Sequence, residues 1–320
     1  MKTVVTGGDG FLGQYLIREV LKRGELTDSE GKRRRVDQVV AVDRVAAPAV
    51  ERVRSTVGDV GDAAFMREVV RGADSVFHLA AVVSGAAEAD FGLGMYVNLD
   101  GTRALLEALR GEGRRPKVVF ASSVAVFGGA LPDVVDDTTM PMPQSSYGAQ
   151  KLIGELLVTD YSRKGFVDGR AVRLPTIVVR PGKPNAAASS FASGIIREPL
   201  AGEDALCPVD PATSMWVLSP AAAIANLLHA HELPAERWTG SRALNLPGIT
   251  VSVSAMLDAL ANVGGETARA RVKMQPDPRI EAIVRTWPAR FATDRADAMG
   301  FVRDHDFESI VRDYAKEYVR

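Results

Sequence analysis

The stretch Thr3-Val-Val-Thr-Gly-Gly-Asp-Gly-Phe-Leu-Gly13 decides the fold. Thr3–Thr6 is a short run of β-branched residues, the pattern of a strand buried on both faces. Phe11–Lys22 then places Phe11, Leu12, Tyr15, Leu16, Val20 and Leu21 at helical spacing. Between them lie Gly7, Gly8, Gly10 and Gly13, a Gly-x-Gly-x-x-Gly joint. Glycine serves three ends in such a joint: a tight turn, close approach of backbone to a pyrophosphate, and close packing of helix on strand. The helix start adds unpaired N–H groups and the positive end of its dipole. A glycine pattern alone is weak evidence. At a strand-to-helix joint that opens an alternating chain, it predicts a dinucleotide site contacted by Gly7, Gly10, Phe11, Leu12 and Gly13.

Outward from this joint, the first half keeps alternating. Gln38–Asp43, Ser75–Ala80, Lys117–Ser122, Arg170–Pro175 and Thr176–Arg180 read as apolar strands with helical patterns between the earlier ones. That order predicts the α/β class, a Rossmann-type doubly wound parallel sheet covered on both faces. After Pro181 the texture changes. Pro184–Phe191 is rich in small residues, and Pro199, Pro208, Pro211 and Pro220 punctuate the segment beyond it. Ala221–His231 and Val253–Val263 read as helices and Arg242–Leu246 as a strand. The expected division is a dinucleotide-binding domain over 1–172 and a smaller, mainly substrate-binding domain over 173–320. Roughly 206–248 is expected to return to the first domain. Glu25–Arg35 ends in the basic run Lys32-Arg-Arg-Arg35 and is predicted to be a solvated loop.

Bulk properties narrow the function. The chain has 320 residues, 46% hydrophobic and 25% charged, enough to bury a large core without staples. The net charge of −1, with no second basic stripe, argues against nucleic acid and anionic membrane as partners. The single cysteine, Cys207, excludes a disulfide within the chain and a thiolate metal site. The four histidines form no HExxH-type ligand set, so no metal is expected. No apolar run of about 18 residues is present, and the N-terminus enters the first strand at once. A cytoplasmic location is therefore expected.

Asp43 closes the second strand. An acid there accepts hydrogen bonds from adenosine ribose hydroxyls and repels a 2′-phosphate, which favours NAD over NADP. Arg44 beside it works the other way. In Ser145-Ser-Tyr-Gly-Ala-Gln-Lys151, Tyr147 and Lys151 stand four apart, on one face of a helix. A tyrosine acting as a base near neutrality needs its ordinary pKa of ~10 lowered by about three pH units, roughly 4 kcal/mol. A lysine one turn away supplies part of that. Ser123, in Phe120-Ala-Ser-Ser-Val-Ala-Val-Phe-Gly128, ends a strand some twenty residues earlier and is the candidate hydroxyl partner.

These segments together closely resemble the extended short-chain dehydrogenases, the NAD-dependent epimerase/dehydratase type. The resemblance spans about the first 182 residues. It adds Gly58-Asp59-Val60 as an adenine-contacting turn, His78-Leu79-Ala80-Ala81 as a strand end lining the cofactor, and Asn98-Leu-Asp-Gly-Thr102 at the start of a central helix. It implies NAD as cofactor, with Asp59, Val60, Leu79, Ala80, Ala81, Asn98, Tyr147 and Lys151 among its contacts. It implies that Tyr147 moves the hydroxyl proton, that Ser123 orients the same oxygen, and that Lys151 holds the nicotinamide ribose. His78 is expected to pack or to present backbone rather than act as an acid. A homodimer is implied, pairing the helix beginning near Leu99 with the helix of Tyr147, whose Leu152, Leu156 and Leu157 suit a covered face.

The chain departs from sugar-nucleotide members of that family. Those usually carry Tyr-Gly where this chain has Phe127-Gly128, and an acidic pair where it has Met215-Trp-Val-Leu-Ser-Pro220. Arg173–Phe191, Arg197–Gly202 and Cys207–Leu218 instead resemble the family members that oxidise C2 of a four-carbon sugar acid, D-erythronate, to a 2-keto acid. That likeness implies a small-molecule sugar-acid substrate. Ser84, Ser123, Lys183, Asn185, Ser189 and Ser190 are the candidates near it, on loops. An epimerase or dehydratase that retains its NAD, and a non-catalytic NAD-sensing protein on the same scaffold, are the alternatives.

Overall fold

The alternating strands assemble into one seven-stranded sheet. Its order is Ala243–Asn245, Asp168–Leu174, Lys117–Ser123, Ser75–His78, Lys2–Thr6, Gln38–Asp43, Val53–Val57. The computed structural model describes residues 1–46, 50–182 and 187–319. The pairings from Lys117–Ser123 through Val53–Val57 are parallel, with Thr3 to Thr6 opposite Ser75 to His78 on one side and Val39 to Val42 on the other. Chain order reverses beside Lys2–Thr6, the switch point at which doubly wound sheets take their ligands. Val4, Val40, Val76 and Val118 form the apolar layer beneath, packed with Leu105, Leu106 and Leu109 of the helix Gly101–Glu112.

The chain divides into two compact units. The first holds 1–123, 145–173 and 224–244; the second holds 124–144, 174–223 and 245–320. The returning segment is thus shorter than the expected 206–248, because strands within that span pair inside the second unit. Ala205–Cys207 pairs with Val272–Met274, and Ser214–Leu218 lies between Thr176–Ile177 and Ile249–Ser252. Val124–Gln144 also joins the second unit, where Val135 bridges Phe291 and the Asn245 amide donates to the Asp136 carbonyl at 3.3 Å. The second unit has its own core. Val253, Met256, Leu257 and Leu260 pack with Ile195, Ile196, Phe307, Ile310 and Val311. The helix carrying Val253 breaks at Gly265 (φ 79°), two residues past its expected end at Val263, and a further helical turn carries the chain to Arg269; a C-terminal helix, Phe307–Tyr318, adds an element that the sequence pattern did not reveal.

Polar side chains anchor 224–244 to the first unit. Lys117 donates to the His231 carbonyl at 2.8 Å, and His231 Nε2 lies 2.7 Å from Ser75 Oγ. Glu232 accepts from Thr27 Oγ1 at 2.5 Å. Arg170, fully buried, pairs with Asp168 at 2.6 Å, as such a cation must to offset desolvation. The expected loop at Glu25–Arg35 is a β-hairpin: Glu25–Thr27 pairs with Arg33–Arg35. Arg33 pairs diagonally across it with Glu25, and Arg34 with Asp28 at the turn, so the basic run is spent on local acids. Among the described residues, no helix is long and apolar enough to cross a membrane.

Candidate active site

The glycine joint is closed too tightly for any larger side chain. A Cβ on Gly13 would meet the Gly7 carbonyl oxygen at 2.0 Å, and one on Gly7 would meet Ala80 N at 2.8 Å. Gly7 also stands at φ +70°, a conformation that disfavours L side chains. Gly7 N and Gly8 N both donate to the Val42 carbonyl, at 2.8 and 3.1 Å, so the turn is tied to the neighbouring strand. The helix Phe11–Arg23 begins at Gly10 with no side-chain cap on its first amides. Phe11 and Leu12 are half-buried and Gly13 is buried. Asp43 ends its strand against this loop; its carboxylate accepts from Asp9 N at 3.1 Å and Arg44 N at 2.7 Å. The structure therefore brings Gly7, Gly10, Gly13, Asp43, Leu79 and Ala80 to one end of the sheet. A backbone cradle, free helix amides and an adjacent carboxylate fit a dinucleotide.

Three predicted contacts, Asp59, Val60 and Asn98, act differently from their neighbours. Asp59 accepts from Gly61 N at 2.9 Å, and Val60 is buried against Gly101, so that turn offers a cofactor backbone more readily than the Val60 side chain. Asn98 is 3% exposed, and its amide is committed. Its oxygen accepts from Val82 N at 2.8 Å, and its nitrogen donates to Val82 O at 3.1 Å and Gln150 Oε1 at 2.7 Å. It sits in a π-helical turn, Met95–Asp100, that widens the helix there. What it fixes is the backbone of Val82, the residue after Ala81.

His78 ties these parts together. Thr102 Oγ1 donates to the Asn98 carbonyl at 2.6 Å, so its lone pairs receive His78 Nε2–H at 3.1 Å. Nδ1 is then the bare nitrogen, and Thr6 Oγ1 donates to it at 2.6 Å while accepting from Ala80 N at 3.3 Å. Burial, helped by the charge of Lys151, pushes the His78 pKa down to about 3, so the ring stays neutral. The histidine positions backbone, as expected, and it does so through a directed relay of hydrogen bonds.

The helix Ser146–Arg163 carries Tyr147 and Lys151. Ser145 Oγ caps it, accepting from Gly148 N at 3.2 Å. Gly154 lets it lie close on the sheet, since a Cβ there would meet the Phe120 ring at 2.6 Å. That approach sets Lys151 Nζ 2.8 Å from the Ala121 carbonyl, 4.9 Å from the Phe120 ring centre and 5.6 Å from the Tyr147 ring centre. Ser123, half-buried, ends the same strand two residues beyond Ala121. Lys151 is 3% exposed; burial lowers its pKa to about 8, and Glu155 opposes the fall. Sequence reasoning missed Glu155. It is paired bidentately with Arg173, at 2.9 and 2.7 Å, and accepts from Ser122 Oγ at 2.5 Å. The four-residue step from Lys151 to Glu155 repeats the step from Tyr147 to Lys151, and that periodicity was the available signal.

The proposed substrate residues divide between the units. Ser84 begins the helix Ser84–Ala89 of the first unit. Ser190 begins the helix Ser190–Leu200 of the second, with Ser189 at its N-cap. They are helix starts rather than loop residues, because Ser190 N bonds Ala187 O and Ala192 N bonds Ser189 O. Lys183 and Asn185 lie outside the described residues. An open cleft of about 620 Å³ in the second unit, lined by Trp216, Thr250, Phe291, Arg303 and Asp306, contains none of the predicted site residues. Among the described residues, no group of three or more His, Cys, Asp or Glu side chains could hold a metal.

The model of the NAD dependent epimerase/dehydratase family matches residues 3–216. A protein of Cupriavidus necator named D-erythronate dehydrogenase is 53% identical over 99% of this chain and 98% of its own length. A Haemophilus influenzae protein of the same name is 43% identical over 98% of each. A solved structure described as a nucleoside-diphosphate-sugar epimerase from Agrobacterium tumefaciens superposes with a TM-score of 0.93 at 38% identity, covering 100% of this chain and 94% of that one. The glycine cradle, the Tyr147–Lys151 helix and a match covering two-thirds of the chain agree: the protein belongs to the NAD dependent epimerase/dehydratase family.

Proposed function

We propose that the protein oxidises the C2 hydroxyl of D-erythronate to the 2-keto acid with NAD, in sugar-acid catabolism. The observation that carries the substrate is the 53% identity, extending over both units, to a relative named for that activity. The grouping of Tyr147, Lys151 and Ser123 at one strand end supports the chemistry. NAD, when bound, supplies the acceptor for the hydride that leaves C2. Gly7, Gly10, Phe11, Leu12 and Gly13 would cradle its pyrophosphate, and Asp43 its adenosine ribose. Ser123 orients the substrate hydroxyl, and Tyr147 removes its proton as general base. The Lys151 ammonium favours the phenolate form of Tyr147 and would hold the nicotinamide ribose. The carboxylate needs charge-assisted donors, which Ser84, Asn185, Ser189 and Ser190 would provide.

A nucleotide-sugar epimerase that recycles its NAD is the competing reading. It is supported by the Agrobacterium structure, at lower identity than the two dehydrogenases. A non-catalytic NAD sensor is disfavoured because Tyr147 and Lys151 are both present and adjacent. A screen of four- to six-carbon aldonic acids with NAD, followed at 340 nm, separates the readings. Net NADH from D-erythronate is expected; turnover of a UDP-sugar without net NADH would overturn the proposal.

The same reading includes a homodimer in the cytoplasm. Within the first unit, Leu157 packs on the unit's own core rather than joining the expected face, but Leu156 is 62% exposed and Ile153 38% on the Tyr147 helix, an apolar face that a second copy would cover. Light scattering at micromolar concentration is expected to give twice the chain mass; a monomer would remove the dimer.

A further inference from the structure

We propose that Glu155, clamped by Arg173 and Ser122, is a positioning residue of the proton-transfer pair: it holds Lys151 in place and keeps its ammonium charged. The proposal rests on reading Tyr147 and Lys151 as that pair. The geometry comes first. Ser122 Oγ donates to Glu155 Oε1 at 2.5 Å, joining the Tyr147 helix to the strand that ends in Ser123. One turn earlier, Lys151 Nζ donates to the carbonyl of Ala121, the residue before Ser122. Two adjacent strand residues thus grip two helix residues four apart, which leaves the lysine little freedom to slide or tilt. Arg173, on the neighbouring strand Asp168–Leu174, closes a bidentate fork on Glu155, so its carboxylate cannot swing away. Ser122, Glu155 and Arg173 are 1%, 2% and 8% exposed.

The electrostatics follow. Lys151 is a cation buried among the Phe120 ring, the Tyr147 ring and one carbonyl. Such a site favours the neutral amine. His78, from the strand Ser75–His78, is uncharged and contributes no opposing charge. Arg173 is a cation already engaged by Glu155. The Glu155 carboxylate is therefore the charge that resists neutralisation of Lys151. Without it, the lysine loses its proton at lower pH, and Tyr147 loses the cation that favours its phenolate.

Two variants separate this role from simple packing. Glu155→Gln keeps the shape and removes the charge. The double variant Glu155→Met/Arg173→Met replaces the whole pair by apolar side chains, an exchange that buried ion pairs often tolerate in folding. The first readout needs no cofactor: the ¹³Cε shift of Lys151 in protein carrying labelled lysine, assigned with Lys151→Arg and titrated from pH 6 to 11 (a range set by the ordinary lysine value of ~10.4). The second is the pH profile of kcat/KM. The expected result is that the Lys151 midpoint falls by about one pH unit in both variants and the alkaline limb of kcat/KM moves with it, lowering kcat/KM about tenfold on that limb. An unmoved midpoint and limb in the folded double variant would overturn the proposal. So would failure of both variants to fold, which would make the pair a requirement of the fold alone. If instead Tyr147→Phe keeps its activity while the Lys151 midpoint moves, the proton-transfer reading fails and the electrostatic coupling stands.

Discussion

Gly13→Ala probes the cofactor site where the structure is least forgiving. The added Cβ would lie 2.0 Å from the Gly7 carbonyl oxygen, 2.8 Å from Gly8 Cα and 2.9 Å from Gly7 C. All three are backbone atoms, so no side chain can rotate aside. Relief requires the glycine turn and the helix Phe11–Arg23 to separate by about 1 Å, and misplacement on that scale costs on the order of 10²-fold in function. Expressed as affinity, this is about 2.8 kcal/mol, a hundredfold rise in the Kd for NAD. Calorimetric titration of the purified variant with NAD measures it, with the thermal unfolding midpoint as a check on folding. Gly111→Ala serves as control: it lies in the helix Gly101–Glu112, and a Cβ there would meet nothing within 4 Å. The control is expected to bind NAD like the parent. A folded Gly13→Ala protein with a Kd within about threefold of the parent would refute the assignment of this turn to the pyrophosphate.

Three other outcomes are expected. Tyr147→Phe abolishes turnover and leaves NAD binding nearly intact, since a positioned base contributes about 10²–10⁴-fold; retention of over a tenth of the rate would remove Tyr147 from that role. The parent prefers NAD to NADP in kcat/KM, and Asp43→Ala relaxes the preference; equal use of both cofactors by the parent would show that Arg44 outweighs Asp43. Acid destabilises the fold through its buried histidines. Burial holds the pKa of His231 at about 4 and that of His78 at about 3, both below the ordinary value of 6.5. Each then favours the native state fully above pH 6.5 and progressively less as pH falls through its folded value, with roughly 3 kcal/mol at stake for His231. Denaturant midpoints measured from pH 7 to 4 should fall, and His231→Gln should flatten the fall; an identical pH dependence in that variant would discard the assignment.

The sequence shows the fold most plainly where chemistry and periodicity coincide. Gly13 packs so closely that only glycine fits, and strand and helix patterns flank it, so the joint is readable without coordinates. Tyr147 and Lys151 are readable because one helical turn separates them. Asp43 is readable because it ends an apolar run. The second unit is harder: its strands Ala205–Cys207 and Val272–Met274 are three residues each and pair across more than sixty positions, beyond the reach of local pattern. The hairpin at Glu25–Arg35 was hidden because its charges, read singly, look like solvent contacts; only the register, with Glu25 opposite Arg35 and Thr27 opposite Arg33, brings Arg33 within reach of Glu25. His78 was expected at a strand end and Asn98 at the start of a helix, but their partners Val82, Gln150, Thr6 and Thr102 come from distant segments, so their positioning work was not visible. Glu155 escaped for the same reason, since its meaning depends on Arg173 and Ser122.

In the proposed reaction a hydride leaves C2 of D-erythronate while Tyr147 takes the hydroxyl proton. D-erythronate carrying deuterium at C2, incubated with the protein and NAD, tests it directly by mass spectrometry of both products. One reduced nicotinamide is expected per keto acid, with the deuterium in the nicotinamide and none in the keto acid. Deuterium released to water or retained in a recovered sugar acid, without matching NADH, would contradict it.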